Sequence, residues 1–242
     1  MLGSACTAVV PRRCAALVLL AAVTLVAASA GCQTRPALRV TESGEQGGRR
    51  MVVAPLNLAV QLAEGLEAAV EPVYAEIIRT LQSSGARVAI IWPEDAEGLW
   101  KAVLRKLRDS NRNELTLERA AAAFVRALAA QEDFELLVLP SLGYRQAAVE
   151  EGYAHWDGVN RRISARSRSI HAGANVPAMS IHVLVLRSDG RVLFRRWSGL
   201  DLVYESDLEQ GVGPSEKHLR EHVEYLREGV GRALDLYPQP GS

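Results

Sequence analysis

The densest concentration of chemistry-bearing residues is His218-Leu219-Arg220-Glu221-His222, near the C-terminal end of the chain. Histidines four residues apart share one face of a helix, so both rings can reach one metal ion. A glutamate between them can activate a metal-bound water, and the reaction to expect would be metal-assisted hydrolysis. Leu219, Val223 and Leu226 recur on the same helix, making this face its packing shoulder, where a histidine can sit half-buried without a ligand. Structural packing is therefore the expectation for His218 and His222; they are candidates for a metal, but neither metal nor cofactor is expected.

The segment resembles the H-x-x-E-H motif of the inverted zinc peptidases. That resemblance implies a third, acidic ligand far downstream, whereas only 20 residues follow His222, and Glu224 and Glu228 lack the spacing. Nucleophilic chemistry has less support. There is no G-x-S-x-G, and Ser215 in Gly213-Pro214-Ser215-Glu216 reads as a helix cap. No phosphate-binding loop, dinucleotide fingerprint or cysteine pair occurs, and His155, His171 and His182 have no ligand spacing. A non-catalytic protein is expected.

Contact residues are a separate matter. Arg161, Arg162, Arg166 and Arg168 form the main basic cluster, and at period two Arg162, Ser164, Arg166 and Arg168 share a face. Such a face can blunt an edge strand against pairing with other chains, or meet an anionic surface such as lipopolysaccharide, peptidoglycan or an acidic partner. Trp156, just before Asp157-Gly158, would be a binding anchor if exposed at a hairpin tip. It and Trp197 are both expected to cap the core. Residues 173–177 read as a loop and a further contact region.

These residues need elements to hold them. Met51-Val52-Val53-Ala54-Pro55-Leu56, Arg87-Val88-Ala89-Ile90-Ile91-Trp92 and Glu135-Leu136-Leu137-Val138-Leu139 are apolar runs typical of buried strands, the last ended by Pro140. Between them lie helical patterns: one entered at Glu71-Pro72 and closed by Gly85, a second through Leu99–Leu107, a third through Leu117–Leu128. Two βα units require crossover connections and strands covered on both faces. The second half predicts two hairpins, turning at Asp157-Gly158 and at Ser188-Asp189-Gly190. A closing helix is predicted from about Glu216 to Leu236. The fold class read from this order is α/β (α+β): one domain over 51–242 with a mixed sheet, βαβααβ, two β-hairpins and a C-terminal helix.

Composition narrows the function classes. The chain has 242 residues, 48% apolar and 23% charged, with 28 basic and 28 acidic residues. A nucleic-acid binder would carry a basic excess, and none is present. The one long apolar run, Ala15–Ala28, follows Arg12-Arg13 and would span about 21 Å as a helix, short of the ~30 Å of a bilayer core. Residues 1–31 thus read as a secretory signal peptide. Without its two arginines and its Cys6 and Cys14, 26 basic face 28 acidic residues, a charge of −2, and Cys32 is the remaining cysteine. Residues 32–50, with Thr34, Pro36, Ser43, Gly44, Gly47 and Gly48 and little apolar content, read as a tether; the 18 residues after Cys32 reach about 25 Å root-mean-square as a flexible coil.

The run Ser29-Ala30-Gly31-Cys32 resembles the lipobox of bacterial lipoproteins. That implies a diacylglyceryl group on Cys32, further acylation such as palmitate, and enough acyl chains for stable anchoring. Gln33 in place of aspartate implies sorting to the outer membrane, on its periplasmic face. The element order, with Val183-Leu-Val-Leu-Arg-Ser-Asp-Gly-Arg-Val-Leu-Phe-Arg-Arg-Trp197 as one hairpin, resembles envelope lipoproteins of the curli-secretion type. It is also similar to the activators of penicillin-binding proteins and to the N-terminal domain of the Tol-system periplasmic protein. The resemblance implies scaffolding, secretion or regulation with an envelope protein as partner, and supplies no catalytic residues. The alternatives are an envelope hydrolase acting through His218, Glu221 and His222, and a carrier of an apolar ligand in a sizeable cavity.

Overall fold

An apolar strand without alternation must be covered on both faces, and the chain arranges this through the direction of its crossovers. The computed structural model describes residues 38–43, 48–110, 115–163, 173–203 and 214–235, all within one unit beginning at Leu38. Strand β1 (Val40–Ser43) pairs antiparallel with β3 (Arg87–Ile91); β2 (Arg50–Val53) lies parallel to both β3 and β4 (Leu136–Glu150). Strand β7 (Asn175–Arg187) continues the sheet beside β4, and β8 (Val192–Leu202) beside β7. The hairpin β5 (Tyr153–Trp156) and β6 (Val159–Arg162) extends the far end of β4. The fold is α/β, with one mixed sheet of eight strands and, among the described residues, five helices.

Helix α1 (Glu67–Ser83) carries the chain from β2 to β3. Helices α2 (Pro93–Ser110) and α3 (Leu117–Ala129) carry it back past β2 to β4. Right-handed crossovers running in opposite directions must lie on opposite faces. Accordingly Met51, Val53, Leu136, Val138, Ile181, Val183 and Val185 pack beneath α1 and the C-terminal helices α4 (Glu216–Glu221) and α5 (Val223–Leu234). Their neighbours Val52, Ala54, Leu137, Leu139, Leu184 and Leu186 pack beneath α2 and α3. Helix α1 ends as its glycine predicts. Gly85 has φ +81°, and the amides of Gly85 and Ala86 bond back to Gln82 O at 2.9 Å and Leu81 O at 3.2 Å.

Several expectations move. The tether does not extend to residue 50, because Val40–Ser43 is already a strand; only one of its residues is apolar, and pairing with β3 decides its state. Helix α1 begins at Glu67, ahead of the expected Glu71-Pro72 start, and Pro72 lies inside it. Pro140 does not end β4. Val138 O, Pro140 O and Leu142 N–H all point to the β2 side, where they meet Ala54 N–H, Asn57 N–H and the Asn57 side chain. Pro140 thus lacks its donor on the flank where β2 has already ended, a tolerated place for proline. Asn175 to Pro177 belong to β7, paired with Ala148 to Gln146, so that stretch is strand. The single closing helix is two helices, broken at His222 (φ −112°, ψ 25°), and the break leaves Val223 exposed.

The Asp157-Gly158 turn has φ +39° and +79°, the positive pair of a two-residue hairpin. Gly199 N–H bonds to Asp157 O at 3.2 Å, bringing that turn onto β8. A third apolar cluster forms there from Ala147, Val149, Trp156, Val159 and Leu202. Among the described residues no helix is long and apolar enough to cross a membrane.

Candidate functional site

The site begins with a β-bulge. On β8, Gly199 pairs with Ser180 but Asp201 pairs with Met179, so Leu200 is an extra residue. Strict alternation from Gly199 would send Asp201 to the same side as Gly199. The extra residue turns it to the opposite side, where Met179 packs under α4 and α5.

There it meets the two histidines. Ser215 caps α4 by accepting from His218 N–H at 3.2 Å, as its sequence context predicts. His218 and His222, one turn apart, stand with ring centroids 4.2 Å from each other. His218 Nε2 lies 3.0 Å and His222 Nδ1 2.7 Å from the same atom, Asp201 Oδ2. Asp201 Oδ1 accepts from Leu202 N–H at 2.8 Å, which fixes the carboxylate plane. Asp201 is 3% exposed, while the side chains of His218 and His222 are 22% and 32% exposed. The break between α4 and α5 falls on the histidine held closest to the carboxylate, with neither proline nor glycine there to cause it.

A second ring of contacts braces this group. Tyr225 presents its ring to His222 at 5.0 Å, edge to face. Arg161 stacks on Tyr225 at 4.1 Å, pairs with Glu228 at 2.9 Å and donates to Leu200 O at 3.4 Å. A buried guanidinium at this place ties β6 to α5 and β8, and Glu228 offsets its charge.

Glu221, the base in the alternative hydrolase reading, does not join the cluster. It is exposed and its carboxylate faces Lys217 at 3.8 Å. The acidic partner comes instead from 17 residues before His218, where the motif gave no reason to look. A residue-level sign existed: Asp201 is a lone acid in Gly199-Leu200-Asp201-Leu202-Val203, and an acid buried in an apolar strand needs a partner.

The tryptophans divide. Trp156 is buried and its indole N–H donates to Met179 O at 3.3 Å, so it cannot serve as an interaction anchor. Trp197, expected in the core, is 38% exposed between the His182 ring (4.7 Å) and the Arg145 guanidinium (5.0 Å). Arg145 is itself held by Asp157 Oδ2 at 3.3 Å, and burial lowers the His182 pKa, with Arg195 adding to the effect. Arg162 is exposed on β6 and His155 on β5, apart from the cluster. Cys32, Arg166, Arg168, His171 and the signal segment lie outside the described residues.

One cavity of about 670 Å³ opens between α1 and α5. Met51, Val138, Val185 and Phe194 line its apolar part, with Arg49 and Arg227 among its polar lining. No protein-family model matches the chain, and no curated protein matches it.

Proposed function

We propose that this protein is a lipid-anchored domain on the periplasmic face of the outer membrane that works by binding another envelope protein. The anchor rests on Ser29-Ala30-Gly31-Cys32 behind a leader too short to span a bilayer. Arg39 is fixed to Asp95 through its N–H and Nε, both at 3.0 Å, and β1 begins at Val40. Eight residue steps from Cys32 to Val40 cover at most about 28 Å, so lipidation would hold the domain close to the membrane.

The observation that carries binding is Trp197. An exposed indole already ordered by two stacked neighbours gives up little side-chain freedom on contact, and tryptophan and arginine are the usual anchors of protein interfaces. A hydrolase acting through Glu221 is disfavoured by that carboxylate's outward position beside Lys217. The cavity supports apolar-ligand carriage as a second reading, since it has the volume of a small-molecule site.

The test is quantitative crosslinking mass spectrometry in intact cells. The expected result is one dominant envelope protein whose yield falls in Trp197→Ala while the thermal midpoint holds, and Cys32→Ser should release the chain from membranes. No enriched partner would sink the binding reading and move attention to the cavity; membrane retention of Cys32→Ser would sink the anchor.

A further inference from the structure

A carboxylate buried to 3% exposure is costly unless it is paired, and the partners of Asp201 are two imidazoles and one backbone amide. A hydrogen bond from an imidazole offsets the charge in part. A doubly charged ion would offset it fully. The three ligand atoms lie within 4.8 Å of one another. Tetrahedral zinc, with bonds near 2.0–2.1 Å, sets its ligands about 3.3 Å apart. The observed 2.7 and 3.0 Å from Asp201 Oδ2 need to open by a few tenths of an ångström, while the two ring nitrogens, within 4.8 Å of each other, must close toward the same spacing by rotation of the histidine side chains.

We infer that Asp201, His218 and His222 form a three-ligand site for a divalent transition metal of the zinc type. Two nitrogens and one oxygen suit zinc and its neighbours and do not suit magnesium or calcium, which prefer oxygen throughout. The Leu202 amide on Oδ1 supplies the outer-sphere contact that orients a ligating carboxylate. The two rings, 22% and 32% exposed, leave the site an entry path from solvent. The exposed Glu221 beside Lys217 is neither ligand nor base, so the site binds metal without the hydrolytic partner that its motif implies. Its effect is to fasten the α4–α5 junction to β8. This inference is independent of the proposed partner binding.

The full chain, purified in detergent and stripped with a chelator, is dialysed against micromolar zinc, with cobalt(II) as the spectroscopic probe. One equivalent of zinc is expected, with a visible cobalt spectrum of four-coordinate intensity. Asp201→Asn and His222→Gln should each weaken uptake at least tenfold, while His155→Gln and Glu221→Gln leave it unchanged. Circular dichroism identifies any variant that fails to fold, and the wild-type cobalt spectrum stands without variants. Sub-stoichiometric zinc with only six-coordinate cobalt bands in the wild type would overturn the inference, as would full uptake by a folded Asp201→Asn.

Discussion

The two helical layers of this domain are built from the same materials to different ends. The layer of α2 and α3 covers the sheet with an apolar cluster, including Phe124 edge-on to Trp100 at 5.5 Å. Its helices are continuous, Thr116 caps α3 through Arg119 N–H, and Glu118 of that layer pairs with Arg195 at the rim. The layer of α1, α4 and α5 carries buried charge. Glu76 of α1, 3% exposed, faces Arg79 and Arg227, while Asp201 enters from the sheet beneath. Here also the helix breaks, at the residue that reaches the carboxylate. Buried charge costs stability unless fully partnered. Among the described residues it is confined to one layer, the one that holds the candidate site, and the other layer supports the sheet from behind.

Breaking the support should have the largest effect. Phe124→Ala removes a fully buried ring and should cost about 3–5 kcal/mol in denaturant unfolding. At a temperature where the variant remains folded, zinc uptake should match the wild type; a loss confined to metal binding would contradict the division of layers.

The site layer is tested by two glycines. A Cβ at Gly229 would stand 2.3 Å from Gly199 O, backbone next to the bulge, so Gly229→Ala should cost about 1–3 kcal/mol. Nothing lies within 4 Å of a Cβ at Gly231, where alanine should stabilise by up to about 1 kcal/mol through helix propensity. Opposite signs two residues apart on one helix are expected in thermal melts. Equal signs would mean that α5 does not press on β8 as described.

A smaller effect is pH-dependent and belongs to the sheet face shared with α3. Burial, aided by Arg195, lowers the pKa of His182 below its ordinary value near 6.5, with Glu118 opposing. The unfolded chain therefore binds a proton that the folded chain resists. His182 is silent above about pH 6.5 and destabilises as pH falls through that value, until the folded-state pKa is passed. His182→Gln should lose less thermal midpoint between pH 7 and pH 5 than the wild type; an identical slope would remove this residue from the account.

The smallest effect lies at β1. Hydrogen bonds from Arg39 lower the pKa of Asp95, so the clamp is in place at neutral pH and is lost only as pH falls through a value below 3.8. In Asp95→Ala the amides of Val40–Ser43 should exchange faster with solvent while the global midpoint scarcely moves.

Elements whose cause is local were legible in the residues alone. Apolar runs such as Leu136–Leu139 need cover on both faces whatever surrounds them. Gly85 and Asp157-Gly158 adopt backbone angles that their residue types permit cheaply, and Ser215 caps by its own hydroxyl. The i, i+4 spacing of His218 and His222 likewise guaranteed a shared helical side. The remaining features depend on partners distant in the chain. Val40–Ser43 becomes strand only because β3 offers an edge, and Pro140 is tolerated only because β2 stops short of it. Trp156 is buried and Trp197 exposed according to where the β5–β6 hairpin closes on β8. Above all, one extra residue at Leu200 reverses the side to which Asp201 points. Strand alternation has period two, so a single inserted residue exchanges the faces of all that follows. That register is set by pairing with β7; the lone acid among apolar residues signals a buried partner but not the face on which it lies.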